Sequence, residues 1–232
     1  MAVRDTEEWI RMLQESLAIE NARLRAGDAS MDLREQILKR PSAYLFFQWL
    51  VGGSRARRLL IDHFVRPVPH MRLLDVGCGP AHVLQWLPEV DYTGTDMDAE
   101  AIEYARQTYG HRARFLRTDP AEPVPADIGS FDVIMMNGVM HHLDDVTLVA
   151  TLAQLAGCLA PGGRLVTLDG CYFPDTRGLR AWLLANDRGK HVRTEAEYRA
   201  LATRHFSVVE THRQRRMFRV PYDAMVMVCA NG

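Results

Sequence analysis

The chain has 232 residues, of which 47% are hydrophobic and 25% charged, and its formal net charge at pH 7 is -1. This length allows one sizeable core with a small appendage, and the composition is typical of a globular protein in water. A net charge so close to zero produces no overall field that would favour nucleic acid or an anionic membrane as a partner.

The charged N-terminus, the short apolar runs and the cysteine pattern all predict a cytoplasmic protein. The charged first residues do not resemble a signal peptide. The longest apolar run, near residues 44–51, is far shorter than the about 20 residues needed to cross a bilayer. The cysteines are widely spaced, and none of them forms a C-x-x-C pair. This spacing indicates neither a disulfide framework nor a zinc site, and it fits a reducing compartment.

The first third of the chain has helical patterning. Apolar residues recur at helical spacing as far as Leu24, and further helical stretches are predicted at 32–39, 44–50 and 55–65. No alternation typical of strands occurs before residue 70, and prolines at positions 67 and 69 then break the pattern. We therefore divide the chain into a helical N-terminal extension, residues 1–66, and an α/β domain, residues 67–232.

In the second part, short apolar strands alternate with helices, which predicts a mainly parallel, doubly wound sheet. The predicted strands are 72–76, 92–95, 114–117, 131–136, 164–168, 206–210 and 224–229. The predicted helices are 82–87, 98–109, 144–159 and 195–202, the last opened by a capping box from Thr194 to Glu197. Since no helix separates the last two strands, we expect them to form an antiparallel pair.

A glycine turn follows the first strand, in the segment Leu-Leu-Asp-Val-Gly-Cys-Gly-Pro at 73–80. Gly77 and Gly79 allow the backbone to approach a ligand closely at the carboxyl edge of the sheet. The third glycine of the dinucleotide fingerprint is missing, because position 82 is His82. Asp75, two residues before the turn, is a poor neighbour for a pyrophosphate and a suitable one for a cationic ligand.

Two more acids end the next two strands. Asp96 lies about 20 residues after the glycine turn, where an acid accepts hydrogen bonds from ribose hydroxyls. Asp119 ends the third strand. Acids at the ends of three successive strands predict a negatively charged crevice that suits a positively charged nucleoside.

The motifs, taken in order, resemble those of class I S-adenosylmethionine-dependent methyltransferases. They are D-V-G-C-G, T-D-M-D, a strand-end aspartate, F-D-V-I-M-M-N-G-V-M-H-H-L and L-A-P-G-G-R-L, within residues 71–170. The resemblance implies a Rossmann-like, doubly wound seven-stranded α/β sheet with an antiparallel last strand. It also implies that S-adenosylmethionine is the cofactor and S-adenosylhomocysteine the product. The N-terminal extension has more apolar and aromatic residues than free helices in water would carry, so we expect it to cap the pocket.

The resemblance further implies a set of cofactor-binding residues, which are Asp75, Gly77, Gly79, Asp96, Met97, Asp119, Pro120 and Asn137. In that family the first acid and the glycines surround the methionine part of the cofactor. Asp96 then holds the ribose, Met97 packs on the adenine, and Asp119 accepts a hydrogen bond from the adenine amino group. Residues near Asn137 border the sulfonium and the acceptor.

The segment after the fourth strand bears on the acceptor. Enzymes that methylate the exocyclic amines of bases typically place Pro-Pro and an aromatic residue here, and this chain has Gly-Val-Met at 138–140. His141 or His142 is suited to take a proton from a phenol or hydroxyl. Adjacent residues point in different directions, so we expect at most one of them to be catalytic and favour His141. No metal is expected, because Gly170 stands where a further ligand of a metal clamp would follow Asp169.

The predicted function is transfer of the methyl group of S-adenosylmethionine to an oxygen of a small molecule, with a histidine as general base. The predicted acceptor contacts are Asp169, Tyr172, Arg188 and His191, with a solvated loop as the alternative for the polar segment 186–193. Two other functions stay open: an RNA methyltransferase that uses the arginine cluster at 213–219, and a non-catalytic protein that binds S-adenosylmethionine. A solvated hairpin is favoured for that cluster, so a nucleic-acid partner is not expected. The sequence does not indicate the oligomeric state.

Overall fold

The computed structural model of the chain describes residues 53–119, 122, 125, 127–187 and 189–232. Most of the N-terminal extension predicted for residues 1–66 therefore lies outside the described residues. Its last predicted helix, 55–65, is present as an α-helix that continues into one π-helical turn, Ile61–Val65.

The described residues form α-helices and strands that largely follow the predicted alternation. The α-helices are α1 (Gly53–Leu60), α2 (Ala99–Tyr109), α3 (Asp145–Gly157), α4 (Leu179–Ala185) and α5 (Glu195–Ala202). The strands are β1 (Arg72–Val76), β2 (Asp91–Asp96), β3 (Ala113–Arg117), β4 (Phe131–Asn137), β5 (Leu159–Tyr172), β6 (Arg193–Thr194), β7 (Val208–Gln214) and β8 (Ala224–Ala230). Two 3-10 turns, His82–Trp86 and Met140–His142, follow β1 and β4.

The sheet has the strand order β3-β2-β1-β4-β5-β8-β7, and the two-residue strand β6 pairs with the end of β5. Strands β1 to β5 run parallel, whereas β8 is antiparallel to both β5 and β7. The predicted doubly wound sheet with an antiparallel last strand is confirmed, with β6 as an addition. The strand order reverses between β1 and β4, and ligands bind at such a switch point in folds of this kind.

The sheet is buried on both faces, which explains why its central strands are nearly continuous apolar runs. Leu74 and Val76 of β1 pack with α3 and α5 in one core cluster. Leu73, the residue before Leu74, packs on the other face with residues of α1 and α2. These two layers hold the carboxyl ends of β1 and β4 side by side.

Three local differences from the predicted elements have physical reasons. Helix α4 was not predicted, because it is short and its N-cap, Gly178, makes no side-chain cap hydrogen bond. The helix expected after the glycine turn is a 3-10 turn, preceded by Ala81 in the left-handed region at φ 54°. Strand β7 begins at Val208, two residues later than predicted, and Phe206 is instead buried in the core.

The predicted capping box at Thr194 is confirmed. None of the described helices has the length and apolar character needed to cross a membrane.

Candidate cofactor pocket and acceptor site

A cavity of about 820 Å³ opens at the carboxyl ends of β1 to β4. It lies at the point where the strand order reverses. Most of the residues predicted to bind a cofactor line it, together with one of the two histidines: Gly77, Gly79, Asp96, Met97, Asp119, Asn137 and His142. The volume is in the range of small-molecule sites.

The glycine turn forms one wall of this cavity. The amides of Gly77 and Cys78 donate to the carbonyl of Thr95 at 2.8 and 3.0 Å, which ties the turn to the end of β2. Gly77 has φ +74°, and a Cβ there would lie 2.4 Å from Cγ2 of Val139. Only glycine fits this position, because a side chain would meet both backbone strain and the β4 loop.

Asp96 is oriented by the backbone around it. Its Oδ2 accepts a hydrogen bond from the amide of Gly79 at 2.7 Å, and its Oδ1 accepts one from the amide of Asp98 at 2.9 Å. Each carboxylate oxygen has a further lone pair available. The carboxylate is therefore fixed in the cavity wall with free acceptor capacity, as a group that binds a ribose diol needs. The next residue, Met97, is 60% exposed and offers an apolar surface beside it.

Asp75 lies beneath the cavity and does not line it. Its side chain is buried, and its Oδ2 accepts a hydrogen bond from the Tyr92 hydroxyl at 2.6 Å. Burial raises the pKa of Asp75 to about 7, although the Tyr92 hydrogen bond and the charge of Arg57 act in the opposite direction. Its place near the methionine part of the cofactor stays a prediction.

Arg57 is a cavity residue that the sequence analysis missed. Helix α1 brings it to the wall, and of the residues the structure describes it is the only arginine or lysine there. The acidic residues in the same wall are Asp96, Asp98, Glu100, Asp119 and Glu122. In sequence, Arg55, Arg57 and Arg58 are typical of the solvated face of a helix, so no local signal distinguishes Arg57.

The two histidines point to different places. Both lie in the 3-10 turn Met140–His142, with ring centroids 4.2 Å apart. His142 lines the cavity, whereas His141 is buried between the ends of β4 and β5. Nδ1 of His141 lies 2.7 Å from Oδ1 of Asp169, and the same oxygen accepts a hydrogen bond from the His141 amide at 3.2 Å. The other ring nitrogen, Nε2, lies 3.2 Å from Oδ1 of Asp187.

The carboxylates around His141 determine its ionisation. Burial lowers the pKa of the imidazole, but the hydrogen bond to Asp169 and the charges of Asp169 and Asp187 outweigh it, so the pKa of His141 is raised. Asp169 itself is 2% exposed, and its Oδ2 has no hydrogen-bond partner among the described residues. An Asp–His pair of this kind holds the ring in the tautomer that carries its proton on Nδ1.

The other predicted acceptor contacts are only partly brought together. The amide of His191 donates to the carbonyl of His141 at 2.9 Å, so His191 lies beside this histidine. Tyr172 ends β5 and pairs with Thr194 of β6. Arg188 and Pro120 lie outside the described residues.

Arg193 is a second residue that the sequence analysis missed, in the segment interpreted as polar and substrate-binding. It is buried, and its guanidinium donates to the carbonyls of Met140, Leu143 and His191 at 3.1, 2.7 and 3.0 Å. It also pairs with Asp145. Arg193 therefore holds the turn that carries both histidines.

Two arginines of the predicted 213–219 cluster are paired with acids. Arg213 pairs with Asp175 and Asp223, and its guanidinium lies 4.0 Å from the ring centroid of Phe173. Arg215 pairs with Asp175 as well. Within the described part of the chain, no group of three or more His, Cys, Asp or Glu residues is arranged to hold a metal ion. The expectation of a metal-free site stays a prediction.

Residues 74–165 match a protein-family model described as a methyltransferase domain. The matched segment includes the glycine turn, Asp96, Asp119 and both histidines. For this segment the match bears out the predicted resemblance to class I S-adenosylmethionine-dependent methyltransferases, and it supports the predicted cofactor. Residues 74–165, which form nearly all of the cavity wall, therefore match a methyltransferase domain.

Curated relatives cover part of the chain. An O-methyltransferase of Pyrenophora dematioidea is 32% identical over 158 residues, which cover 59% of this chain and 57% of that protein. The acetylserotonin O-methyltransferase of Mus musculus is 33% identical over 129 residues, which cover 52% of this chain and 31% of that protein. The chain thus spans less than two thirds of either relative.

Among solved structures, the pyocyanin biosynthetic protein PhzM is similar over 90% of this chain and 66% of that chain. The TM-score is 0.69 and the sequence identity 19%. At this identity the similarity shows the fold, and it confirms the Rossmann-like architecture.

Proposed function

We propose that this chain is a methyltransferase that methylates an oxygen of a small molecule, with S-adenosylmethionine as the methyl donor and His141 as the general base. The observation that carries the proposal is the hydrogen-bonded pair of His141 and Asp169 at the strand ends next to the cofactor cavity. The relatives described above, two O-methyltransferases, support oxygen as the methylated atom.

The cavity fits the cofactor in charge and in shape. Its acidic wall suits a sulfonium cation, and the backbone-held carboxylate of Asp96 suits the ribose hydroxyls. We assign the packing of the adenine to Met97 and the hydrogen bond from its amino group to Asp119, both of which line the cavity. We assign Arg57 to the carboxylate of the methionine part, because among the described residues it is the only arginine or lysine in this acidic wall. Bound there, S-adenosylmethionine supplies an electrophilic methyl group.

The pair with Asp169 gives His141 the ring orientation that a base for oxygen methylation needs. Asp169 binds the Nδ1 proton, so the lone pair of the neutral ring is on Nε2. The acceptor's O–H proton goes to this lone pair, the electron pair of the broken bond stays on oxygen, and the ring later gives the proton to solvent. Asp169 holds the ring in this orientation and stabilises the imidazolium that forms. His142, which lines the cavity, is placed to contact the cofactor.

The experiment is a transfer assay with isotopically labelled S-adenosylmethionine and matched panels of phenols, aliphatic alcohols and amines of similar size. We expect labelled methyl ethers from the phenol or alcohol panel, identified by mass spectrometry. Labelled amines alone would show that the assigned atom is wrong. Binding of S-adenosylhomocysteine without transfer to any panel would favour the non-catalytic alternative.

A further inference from the structure

The second ring nitrogen of His141 is already occupied. Nε2 lies 3.2 Å from Oδ1 of Asp187, a residue that follows helix α4. The Asp187 carboxylate is itself fixed by two donors: the amide of Gly189 donates to Oδ1 at 2.9 Å, and the hydroxyl of Tyr222 donates to Oδ2 at 2.6 Å. Both nitrogens of the imidazole therefore face carboxylates.

The surroundings leave no space beside this contact. A Cβ on Gly189 would lie 1.8 Å from Cδ2 of His141, so the backbone at this position touches the imidazole ring directly. On the other side, a Cβ on Gly170 would lie 2.1 Å from the hydroxyl oxygen of Tyr222. Glycine at both positions is what allows Tyr222, Asp187 and His141 to pack in a row.

This arrangement conflicts with the action of His141 as a base. A ring nitrogen that donates its proton to Asp187 has no lone pair for the proton of an acceptor. The groups that face the ring are Asp169 on β5, Asp187 after α4, Arg193 on β6 and the neighbouring ring of His142. Of the two carboxylates, Asp169 is buried in the sheet, whereas the Asp187 side chain is 20% exposed and lies outside the sheet.

We propose that, when the acceptor binds, its hydroxyl replaces the carboxylate of Asp187 at Nε2 of His141. Asp187, which Tyr222 holds in place, is thus a positioning residue that competes with the acceptor for this nitrogen. The inference rests on the proposed function, because it takes His141 as the base. When Asp187 moves away, the ring loses one of its two carboxylate neighbours and its second proton passes to solvent. The freed Nε2 lone pair then accepts the hydrogen bond of the acceptor's hydroxyl. The position of Oδ1 of Asp187 thereby marks where the acceptor's oxygen binds.

The first test needs no acceptor. The His141 ring signal, identified by its absence in His141→Gln, is titrated by NMR in the chain saturated with S-adenosylhomocysteine. Asp187→Ala is expected to lower the pKa of His141 relative to the wild type, because one facing carboxylate is lost. Asp175→Asn is the matched control, since Asp175 pairs with Arg213 and Arg215 away from this ring. An unchanged His141 titration in Asp187→Ala would overturn the proposed contact.

The second test uses an acceptor found in the transfer panels. Tyr222→Phe removes one hydroxyl and keeps the ring, so it loosens Asp187 even if Asp187→Ala does not fold. It is expected to lower KM for the acceptor by up to about tenfold, with KM for S-adenosylmethionine unchanged. A higher acceptor KM in Tyr222→Phe would show that the closed contact assists binding, and the inference would be wrong. If His141→Ala kept full activity, the proposed base itself would be wrong, so the two failures are distinguishable.

Discussion

Replacing Asp96 by alanine tests the cofactor assignment at its best-defined point. In the structure the Asp96 carboxylate accepts one hydrogen bond from the amide of Gly79 and one from the amide of Asp98. Those contacts fix the direction of its remaining lone pairs toward the cavity. Alanine removes both acceptors for the ribose hydroxyls and also frees the end of the glycine turn.

The size of the effect follows from the number and type of the bonds lost. A hydrogen bond to a charged group contributes roughly 1.5–3 kcal/mol. Asp96 is half-buried, so water competes for part of this, and two such bonds contribute about 2–4 kcal/mol. The Kd for S-adenosylhomocysteine is therefore expected to rise by roughly 30- to 700-fold.

The assay is calorimetric titration of S-adenosylhomocysteine into the wild type and the variant, with circular dichroism to show that both are folded. Asp98→Ala is the matched control in the same cavity wall. Its side chain caps α2 by accepting from the amides of Glu100 and Ala101, so it is expected to cost about 1 kcal/mol of stability with little change in Kd. A folded Asp96→Ala chain that binds within threefold of the wild type would refute the ribose assignment.

Two further predictions concern the other end of the cofactor and the base. Arg57→Ala is expected to weaken the binding of S-adenosylhomocysteine by about tenfold or more. The binding of 5'-methylthioadenosine, which has no carboxylate, should be unchanged in calorimetry. Equal losses of affinity for the two ligands would remove Arg57 from this role. His141→Ala is expected to lower kcat by roughly 10²–10⁴-fold with cofactor Kd intact, and a loss confined to His142→Ala would exchange the two roles. In the wild type, kcat/KM should fall as the pH drops through the pKa of His141, because only the neutral ring accepts a proton. Since that pKa is raised, this limb should lie above the ordinary value of 6.5 and vanish in His141→Ala.

The parts of the fold that could be predicted from sequence are those determined by local patterns. Buried parallel strands are continuous apolar runs, so β1 and β4 were predicted with the right starts. The glycine turn and Asp96 were found because their spacing along the chain reflects the geometry of a single βα unit and the next strand. For these residues, the spacing along the chain is enough to predict their positions in the fold.

The contacts around His141 could not be predicted, because they join segments far apart in the chain. Asp169 and Asp187 reach the ring from β5 and from the residues after α4, and Tyr222, two residues before β8, holds Asp187. Their approach depends on the length of β5 and on α4, which the sequence patterns did not indicate. Arg193 shows the same limit: in sequence it is one of several polar residues in the segment 186–193, and its partners are the carbonyls of a turn some 50 residues earlier.

The two carboxylates at His141 belong to different parts of the fold, and this separates their effects on the ring. Asp169 lies in β5 opposite Met225 of β8, and the amide of Gly138 donates to the carbonyl of Leu168 next to it. The Nδ1 side of the imidazole is thus held by paired sheet strands, which cannot shift without breaking ladder hydrogen bonds. Asp187 reaches Nε2 from outside the sheet and depends on the Tyr222 hydroxyl and one amide. The tautomer of the ring is therefore determined by the sheet, and access to its basic nitrogen by the segment after α4.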